Sequence, residues 1–464
     1  MSTEATNREA AVALAEELGN LPLALEQAAA YTALTGVSLA DYLSLFRERA
    51  AAYTPPASPS ADYPAALAVT FELAFTHLSE ESPAAADLLT ICAFLAPDDV
   101  PLEIFKDAAA KEGDEAVSLP ESLATAAANP EALAAAAAML QTYALAKVRG
   151  GSFLSTHRLI QAIARDRLGG DERKTWAEAT ATVMRAAFPF NKLDPRTWPL
   201  SARLLQHALT TADHAGVLGV ADVPVMFLLF LAGEQLFNNA KLAEAKAVFE
   251  RSAELCEKLL GPADTVLAAL LNNIGMTLHR QGNFDEAANY LKRALAIDEE
   301  VRGSDHPYVA IRLNNIGEIL RERGAYAEAR SHYERALAIA EAAHSAPNAL
   351  IPTILNNIGL ALREQDDAEG ACAYYERAIL IDEEAYGSDH PNIAVRLNNL
   401  GAALLSLGDL DTARQHFERA LRIFKAHFGE EHPWTLTAKR YLKELDEHAA
   451  VSPRRRKKPR KRRK

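Results

Sequence analysis

Pairs of adjacent asparagines are the residues of this chain best suited to chemical recognition. They recur at one fixed interval, at Asn272-Asn273, Asn314-Asn315, Asn356-Asn357 and Asn398-Asn399. A carboxamide carries both a hydrogen-bond donor and an acceptor, so it can hold the main chain of an extended peptide without reading its sequence. Two turns of helix after the first asparagine come His279, Arg321 and Arg363, and the two arginines would add a preference for anions. This chemistry is binding rather than bond-making.

Two interpretations of these asparagines are open from the sequence. In the first, Asn272, Asn314, Asn356, Asn398 and their neighbours contact a peptide, because stacked helices would align the carboxamides into a ladder with basic side chains beside its middle. In the second, some asparagines only cap helices or bridge neighbouring units through side-chain hydrogen bonds. We predict peptide binding, with bridging as the alternative.

Motifs for catalysis or metal binding do not occur in the sequence. It contains no His-Glu-x-x-His, no Gly-x-Ser-x-Gly and no clustered Cys/His pattern. His306, His390 and His432 each precede a proline and are one or two periods apart, so we interpret them as loop-forming residues rather than metal ligands. We therefore expect a protein that is not an enzyme and holds no metal.

The repeated segment around each asparagine pair is predicted to form two helices. In the first clear copy, apolar residues at i, i+3, i+4 and i+7 form one helical stripe, namely Leu271, Ile274, Gly275 and Leu278. Gly282 and Asn283 break that pattern, and a second stripe begins at Phe284. The segment recurs every 42 residues. A fixed period of this size is typical of an open stack of helical hairpins, which presents an extended surface rather than a closed pocket.

Glycines occupy two special positions in each unit. One lies inside the first helix, where glycine costs about 1 kcal/mol relative to alanine, so we expect it to allow close approach of the second helix. The other lies in the turn at Gly282, Gly324 and Gly408, whereas the third copy has Asp366. Aspartate is one of the few other residues that visits the left-handed region, so the same turn is predicted there.

The units resemble tetratricopeptide repeats, in the 42-residue variety typical of kinesin light chains and of many bacterial signalling proteins. The small residues of the second helix match too, at Ala287, Ala329, Ala371 and Ala413. An earlier, more divergent copy is placed by its register at Gly233 and Ala245. The resemblance implies about five repeats over residues 223–447, and it assigns peptide contacts to the first-helix positions, including Asn272, Asn314, Asn356 and Asn398.

Composition agrees with a soluble, mostly helical protein of two or three domains. The chain has 464 residues, of which 49% are apolar, and no apolar run approaches the roughly 20 residues needed to cross a membrane. The start of the sequence shows no basic region followed by an apolar core, so no secretory signal is visible. Cys92, Cys256 and Cys372 are far apart, typical of buried thiols in a reducing compartment. We expect a cytoplasmic protein.

Charge is concentrated at the end of the sequence. Ten of the eleven residues from Arg454 to Lys464 are Lys or Arg, although the whole chain has a net charge of −13. Such a block has nothing apolar to bury and repels itself, so we predict a disordered basic tail over residues 448–464. It could bind nucleic acid or an anionic surface, or fold back on the acidic body or serve as a localisation tag.

The N-terminal part of the sequence, up to position 170, shows helix starts and one hairpin. Pro22 lies where a helix could begin, and four prolines mark a linker over residues 54–64. Helices are predicted from Ala65 to Leu78, from Pro83 to Leu95 with Ser82 as cap, and from Asn129 onward. Short strands at residues 143–148 and 152–155 would be joined by a turn at residues 149–151. Helices ending in a hairpin suggest a winged-helix module.

These segments resemble the end of the NB-ARC core in the signal-transduction ATPases with numerous domains, or STAND proteins. The stretch Gly19-Asn20-Leu21-Pro22-Leu23-Ala24-Leu25 is similar to the Gly-Leu-Pro-Leu-Ala-Leu motif, with Asn20 inserted, and Thr156-His157-Arg158 matches the Met-His-Asp motif only at the histidine. The resemblance implies that Pro22 touches an adenine and that His157 faces an ADP phosphate. The alternative is that Pro22 only starts a helix and His157 is a polar residue beside the hairpin.

A nucleotide site would be incomplete in this sequence. A P-loop needs Gly-x-x-x-x-Gly-Lys-Ser/Thr so that backbone amides and a lysine hold the phosphates, and no such stretch occurs. We therefore expect no cofactor, with ADP or ATP bound only if a P-loop domain is supplied by another chain. Pro22 and His157 would then be vestigial contacts.

The sequence thus predicts an all-α fold, a tetratricopeptide superhelix preceded by a small helical and winged-helix-like module with a short β-hairpin. The predicted segments are a helical segment at 1–53, the linker at 54–64, a winged-helix-like domain at 65–170, a helical connector at 171–222, repeats at 223–447 and the tail. The predicted function is a scaffold that binds a peptide or partner protein in signalling. The alternatives are the regulatory and sensor half of a STAND ATPase switch, and a nucleic-acid adaptor working through the tail.

Overall fold

The computed structural model describes residues 3–451 except 57, 58, 60, 112–118, 193, 221 and 344–349. Of the predicted disordered tail at 448–464, residues 452–464 lie outside the described residues, whereas residues 448–451 belong to a helix, Pro433–Val451, instead of being disordered. The chain divides into two compact units, Met1–Leu259 and Leu260–Lys464. The boundary falls inside the predicted repeat segment, so the first hairpin belongs to the first unit.

Among the described residues of the first unit, the regular structure is helical apart from one small sheet. Its helices are α1 (Thr3–Glu17), α2 (Pro22–Thr35), α3 (Leu39–Ala52), α4 (Ala65–Glu81), α5 (Pro83–Cys92), α6 (Glu103–Ala109), α7 (Glu121–Ala127), α8 (Pro130–Thr142), α9 (Arg158–Asp166), α10 (Gly170–Ala187), α11 (Trp198–Leu218), α12 (Asp222–Asn238) and α13 (Leu242–Leu260). The strands are β1 (Val100–Pro101), β2 (Lys147–Arg149) and β3 (Phe153–Ser155). Together with the second unit, this confirms the predicted helical fold class.

Predicted helix starts in the first unit coincide with local caps. Pro22 occupies the first turn of α2, where its missing N–H costs no hydrogen bond. The Ser82 hydroxyl accepts from the Ala85 N–H at 3.4 Å, and the Asn129 carboxamide accepts from the Glu131 N–H at 2.9 Å. These starts were predictable because a cap depends on residues within one turn of the helix end.

The sheet is antiparallel with the order β1-β3-β2. The predicted hairpin is present as β2 and β3, but residues 143–146 lie outside β2, and Ala144 has a positive φ of 53°. Strand β1 was not predicted, since it has only two residues and pairs with a strand that is distant in sequence, Val100 opposite Leu154. Whether the surrounding helices form a winged helix stays a prediction.

One apolar core joins most of the first unit. It includes Leu14 of α1, Phe71 of α4, Leu140 of α8, Leu154 of β3 and Leu204 of α11, each at most 4% exposed. The predicted segments at 1–53, 65–170 and 171–222 therefore share a core rather than burying separate ones. The predicted linker bounds remain a prediction, since part of it lies outside the described residues.

In the described part of the second unit, the chain forms four helical hairpins and a final helix. The hairpins are α14 (Thr265–Arg280) with α15 (Phe284–Arg302), α16 (Pro307–Glu322) with α17 (Tyr326–Ala342), α18 (Leu350–Glu364) with α19 (Ala368–Tyr386), and α20 (Pro391–Leu407) with α21 (Leu410–Phe428). The last helix is α22 (Pro433–Val451). In the third of these hairpins, Asp366 has φ +64°, where Gly282 and Gly408 have +83° and +82°. The predicted left-handed turn is thus confirmed.

The glycine inside each first helix makes room for a side chain of the second helix. A Cβ on Gly317 would lie 2.5 Å from the ring of Tyr333, and one on Gly401 would lie 2.7 Å from the ring of Phe417. At Gly275 the neighbours are Leu291 and also the backbone oxygen of Ala287, 3.2 Å away. Close approach was the predicted reason for these glycines, and the structure identifies the closest group as a large apolar or aromatic side chain.

Among the described helices, no single one is long and apolar enough to span a bilayer. Only the bent pair α7 and α8 reaches the length and composition when the two are taken together.

Candidate functional site: the asparagine ladder and the side chains beside it

The first asparagine of each pair is buried between helices. Asn272, Asn314, Asn356 and Asn398 are 8%, 5%, 8% and 6% exposed. Burial of a carboxamide is tolerated only when its hydrogen-bonding groups find partners. The partners of these four side chains therefore decide what they do.

The second asparagine of one hairpin bonds to the first asparagine of the preceding hairpin. Asn315 Nδ2 donates to Asn272 Oδ1 at 2.7 Å, Asn357 Nδ2 to Asn314 Oδ1 at 2.9 Å, and Asn399 Nδ2 to Asn356 Oδ1 at 2.8 Å. These bonds form an asparagine ladder between successive hairpins, which is the bridging role that the sequence left as the alternative interpretation. The first three of these carboxamide oxygens are thus already used within the protein.

The ladder ends at Asn398. Its Oδ1 is buried and has no hydrogen-bond partner among the described residues. The next helix, α22, carries Tyr441 at the corresponding register position, and its ring stacks on Phe417 with centroids 5.1 Å apart. The repeating bond is absent there because α22 supplies a ring in place of a carboxamide.

Glu318 is the charged member of the ladder. Its Oε1 accepts from Asn314 Nδ2 and from Asn357 Nδ2, both at 3.1 Å, so it joins two hairpins. Burial raises the pKa of Glu318 above its ordinary value, and the two hydrogen bonds and the nearby His279 and Arg321 offset only part of that. The other three hairpins have Met276, Leu360 and Ala402 at this position.

Replacing Glu318 with glutamine is expected to stabilise the protein at neutral pH. A raised folded pKa means that the ionised carboxylate is disfavoured by folding, so its stabilising contribution is complete below the unfolded pKa and is lost as pH rises through the folded pKa. Glutamine keeps the acceptor oxygen without this titration. Thermal melts from acidic to mildly alkaline pH should show the E318Q advantage growing with pH.

Glu318→Ala separates the charge from the hydrogen bonds. It leaves the Asn314 and Asn357 amides without their acceptor, so it should destabilise the protein at every pH. An E318Q advantage that is constant with pH would contradict the assignment of a buried, titrating carboxylate.

Two rows of partly exposed side chains run beside the ladder on the first helices. The inner row is Met276, Glu318, Leu360 and Ala402, and the outer row is His279, Arg321, Arg363 and Leu405. Glu318 is exposed only in part, since its carboxylate is desolvated and its Oε1 is held by Asn314 and Asn357. The side chains of Arg321 and Arg363 are 22% and 25% exposed, so part of each can be reached from outside. Of the predicted site residues in this unit, His279, Arg321 and Arg363 are therefore partly exposed, whereas most carboxamides are engaged in the ladder.

Salt bridges on the second helices form another repeated connection that the sequence analysis missed. Arg335 of α17 pairs with Glu299 of α15 at 2.6 Å, and Arg419 of α21 pairs with Glu383 of α19 at 2.5 Å. Arg377 and Glu341 form the equivalent pair between α19 and α17. The signal was available, since these pairs recur once in each period, but their contact follows only from stacking of the hairpins.

Histidines before the helices act as caps. Nδ1 of His306 and of His390 accepts from the backbone N–H two residues later at 3.2 Å, and that of His432 does so at 3.3 Å. His157 does the same for α9, accepting from the Leu159 N–H at 3.2 Å. These contacts agree with a role in the loops, although the sequence did not indicate the cap itself.

Of the two residues predicted to touch a nucleotide, His157 lines a cavity in the first unit and Pro22 does not. Leu23, which follows Pro22, and His157 both line a cavity of about 470 Å³. Thr156 also lines it, and its hydroxyl is buried with no hydrogen-bond partner among the described residues. Pro22 itself is exposed at the start of α2. The structure thus brings the two motifs together around a space of ligand size.

Two family models match the chain, one over the hairpins and one over part of the first unit. The tetratricopeptide repeat model matches residues 226–300, 266–342, 350–426 and 397–449. Residues 226–342 and 350–449 are tetratricopeptide repeats. Residues 75–173 match a domain of unknown function, DUF7779. No curated protein sequence matches the chain.

Three solved structures are among those similar to part of this chain. BtubC (BKLC) from P. vanneervenii is 22% identical, with 53% of this chain and 95% of that chain covered and a TM-score of 0.41. A putative kinesin light chain from Podosopora anserina, with nearly identical TPR-like repeats, is 18% identical, with 42% and 93% covered and a TM-score of 0.36. The apo form of RapI is 16% identical, with 49% and 85% covered and a TM-score of 0.38.

Proposed function

We propose that the chain is a non-enzymatic scaffold that binds a peptide or a partner protein along the first helices of its tetratricopeptide repeats. One observation carries the proposal. The two rows beside the asparagine ladder stay partly exposed over four successive hairpins, whereas neighbouring residues of the same helices, such as Leu313 and Leu355, are buried. A surface of mixed apolar and charged side chains held by a rigid ladder suits an extended ligand.

The ladder supports binding indirectly. Its carboxamides fix the spacing of adjacent hairpins, and that spacing sets the distances between the row side chains that would contact a ligand. A rigid surface loses less conformational entropy when it binds. Asn272, Asn314, Asn356 and Asn398 would thus support the binding surface, and the ligand contacts would come chiefly from the rows, with Leu360 in the centre.

Peptide selection on the full chain tests this proposal. Random dodecapeptides displayed on phage should be enriched by the native protein, and Leu360→Glu should abolish their binding because it places a charge at the centre of the inner row. The matched control is Leu380→Glu on α19, which is 66% exposed away from the first helices. Binding that survives L360E, or that L380E removes equally, would contradict the proposal, and so would a selection that enriches nothing.

A second candidate function is the regulatory and sensor half of a STAND ATPase switch, completed by a P-loop domain on another chain. The observation that favours it is the cavity shared by Leu23 and His157. Lys147 and Arg158 also line it and would attract an anionic ligand, whereas Glu26 and Asp98, which line it too, would repel one. His157 offers Nε2, because its Nδ1 caps α9. Calorimetric titration of the full chain with ADP tests the candidate. For this chain without a P-loop partner, we expect weak or undetectable binding of ADP. Micromolar binding of ATP or ADP would instead argue for a switch and against the scaffold as the whole function.

The third prediction, a nucleic-acid adaptor working through Arg454 to Lys464, concerns residues outside the described part of the chain. It stays a prediction, for which a salt titration of binding with and without residues 452–464 is the measurement.

A further inference from the structure

The cavity of about 470 Å³ in the first unit is lined by charged side chains of both signs. Lys147 and Arg158 supply two positive charges. Glu26 and Asp98 supply two negative ones, and all four residues are exposed. None of the four forms an ion pair with a described residue. Because the charges balance, the cavity favours neither a polyanion nor a polycation.

The small sheet places a base and an acid on opposite sides of its central strand. Strand β3 lies between β1 and β2, and Lys147 of β2 is directly opposite Ser155 of β3. On the other side, the Thr156 N–H donates to the Pro97 oxygen at 2.8 Å, so the segment that carries Asp98 and leads into β1 lies beside Thr156. Neighbouring strands are about 4.7–4.9 Å apart, so the backbones that carry the base and the acid are separated by about 9–10 Å.

Thr156 lies between these two charges and has an unused hydroxyl group. The residue is 3% exposed and lines the cavity, and its hydroxyl has no hydrogen-bond partner among the described residues. The neighbouring Ser155 hydroxyl, in contrast, accepts from the Asp99 N–H at 3.0 Å. Buried hydroxyls are normally hydrogen-bonded, so an unpaired one in the wall of a cavity points to a polar group of a ligand.

The remaining lining of the cavity is largely apolar. Leu145, Ala146 and Ile160 contribute to it and are at most 6% exposed. The volume lies in the range of pockets that bind small molecules. A small ligand with charged ends and a partly apolar middle therefore matches the lining.

We propose that this cavity binds a small zwitterion of dipeptide size, with an ammonium group at one end and a carboxylate at the other. The carboxylate lies toward Lys147 and Arg158, where charge-assisted hydrogen bonds can form. The ammonium group lies toward Glu26 and Asp98, and the peptide group between the two ends bonds to the Thr156 hydroxyl. A nucleotide would bring phosphates but no cation to the two carboxylates. Binding here is independent of peptide binding along the repeats.

Thermal unfolding of the full chain with free dipeptides tests this proposal. A panel of Ala-Xaa and Xaa-Ala dipeptides should contain members that raise the unfolding midpoint, because a ligand that binds only the folded state stabilises it. For the most effective dipeptide, N-acetylation and C-terminal amidation each remove one charge, and each should weaken the affinity measured by calorimetry at least about tenfold. Inorganic phosphate and ADP should leave the midpoint unchanged.

Three variants assign the parts of the ligand. Lys147→Gln should weaken binding of the free dipeptide at least about tenfold but leave the amidated form unaffected, because that form has no carboxylate. Asp98→Asn should likewise weaken the free dipeptide but not the N-acetylated form. Thr156→Val keeps the side-chain volume and should weaken the free dipeptide several-fold, because the peptide group loses its hydrogen bond.

Two control variants keep the test decisive. Lys174→Gln removes an exposed lysine of α10 that does not line the cavity, and Leu360→Glu alters the repeats, so neither should change dipeptide affinity. A panel that leaves the midpoint unchanged, blocked dipeptides that bind as tightly as the free one, or equal losses for K147Q and K174Q would overturn the proposal. A loss in L360E would do so by placing the dipeptide on the repeats, and ADP binding that K147Q weakens would do so in favour of a nucleotide.

Discussion

Replacing Asp382 with alanine is expected to destabilise the second unit by about 3–5 kcal/mol, because it leaves the Arg396 charge buried and unpaired. The two side chains are 0% and 6% exposed, and Arg396 Nε lies 2.7 Å from Asp382 Oδ2, between α19 and α20. Burial lowers the pKa of Arg396, which shows how strongly this environment disfavours an isolated charge. Urea unfolding followed by circular dichroism measures the loss.

The double variant Asp382→Ala/Arg396→Ile should recover the native stability or exceed it. Burial also raises the pKa of Asp382, and both of its carboxylate oxygens lack well-formed hydrogen bonds among the described residues, so the ion pair is costly to bury. Replacing such a pair by apolar residues is often neutral or stabilising by about 1–4 kcal/mol. The chain itself provides the template, since the preceding repeat has buried Ala340 and Ile354 at the same two positions.

Glu383→Ala is the matched control for D382A. It lies next to Asp382 on α19, but its partner Arg419 is partly exposed, so the loss should not exceed about 1 kcal/mol. Equal losses for D382A and E383A would contradict the argument from burial. A double variant as unstable as D382A would show that the ion pair, rather than the unpaired charge, carries the stability.

Replacing Gly317 with alanine is expected to destabilise the protein by about 1–3 kcal/mol, although alanine is the better helix former. The added Cβ would lie 2.5 Å, 2.8 Å and 2.9 Å from three ring atoms of Tyr333, which is fully buried. The gain in helix propensity is at most about 1 kcal/mol. The overlap should therefore dominate, and the midpoint of thermal unfolding should fall.

Gly216→Ala is the control for that prediction. Gly216 lies inside α11, and a Cβ there would meet no atom within 4 Å among the described residues. Alanine should consequently raise the midpoint slightly through helix propensity. Equal effects of G216A and G317A would show that the close approach of Tyr333 is unimportant for stability.

Predictions from the sequence succeeded where the cause lies within one helix turn or one hairpin. The left-handed turn at Asp366, the starts of α2, α5 and α8, and the close approach at the helix glycines depend on residues close to one another along the chain. Predictions of contacts between hairpins were less complete. The bond between Asn315 and Asn272 joins residues 43 positions apart, so it requires the relative position of two hairpins.

The buried ion pairs are a second case of contacts between hairpins that were not predicted, although the sequence carried a signal for them. Asp298 with Arg312 and Asp382 with Arg396 recur two periods apart, and the intervening repeat has alanine and isoleucine at the two positions. That joint change indicated contact, but neither helix periodicity nor composition shows which side chains meet across a stack. Strand β1 escaped prediction for a related reason, because two residues carry no alternation and their partner Leu154 is distant in sequence.

By itself, the sequence determined the repeating hairpin, its period and the residue types along each helix, because helix propensity, caps and turns act over short separations. Only the tertiary structure decided that the asparagines bond to one another, that Glu318 joins two hairpins, and that Arg321 and Arg363 stay partly exposed. Those outcomes depend on which side chains are desolvated when hairpins stack, and desolvation is a property of the packed surface rather than of any single segment.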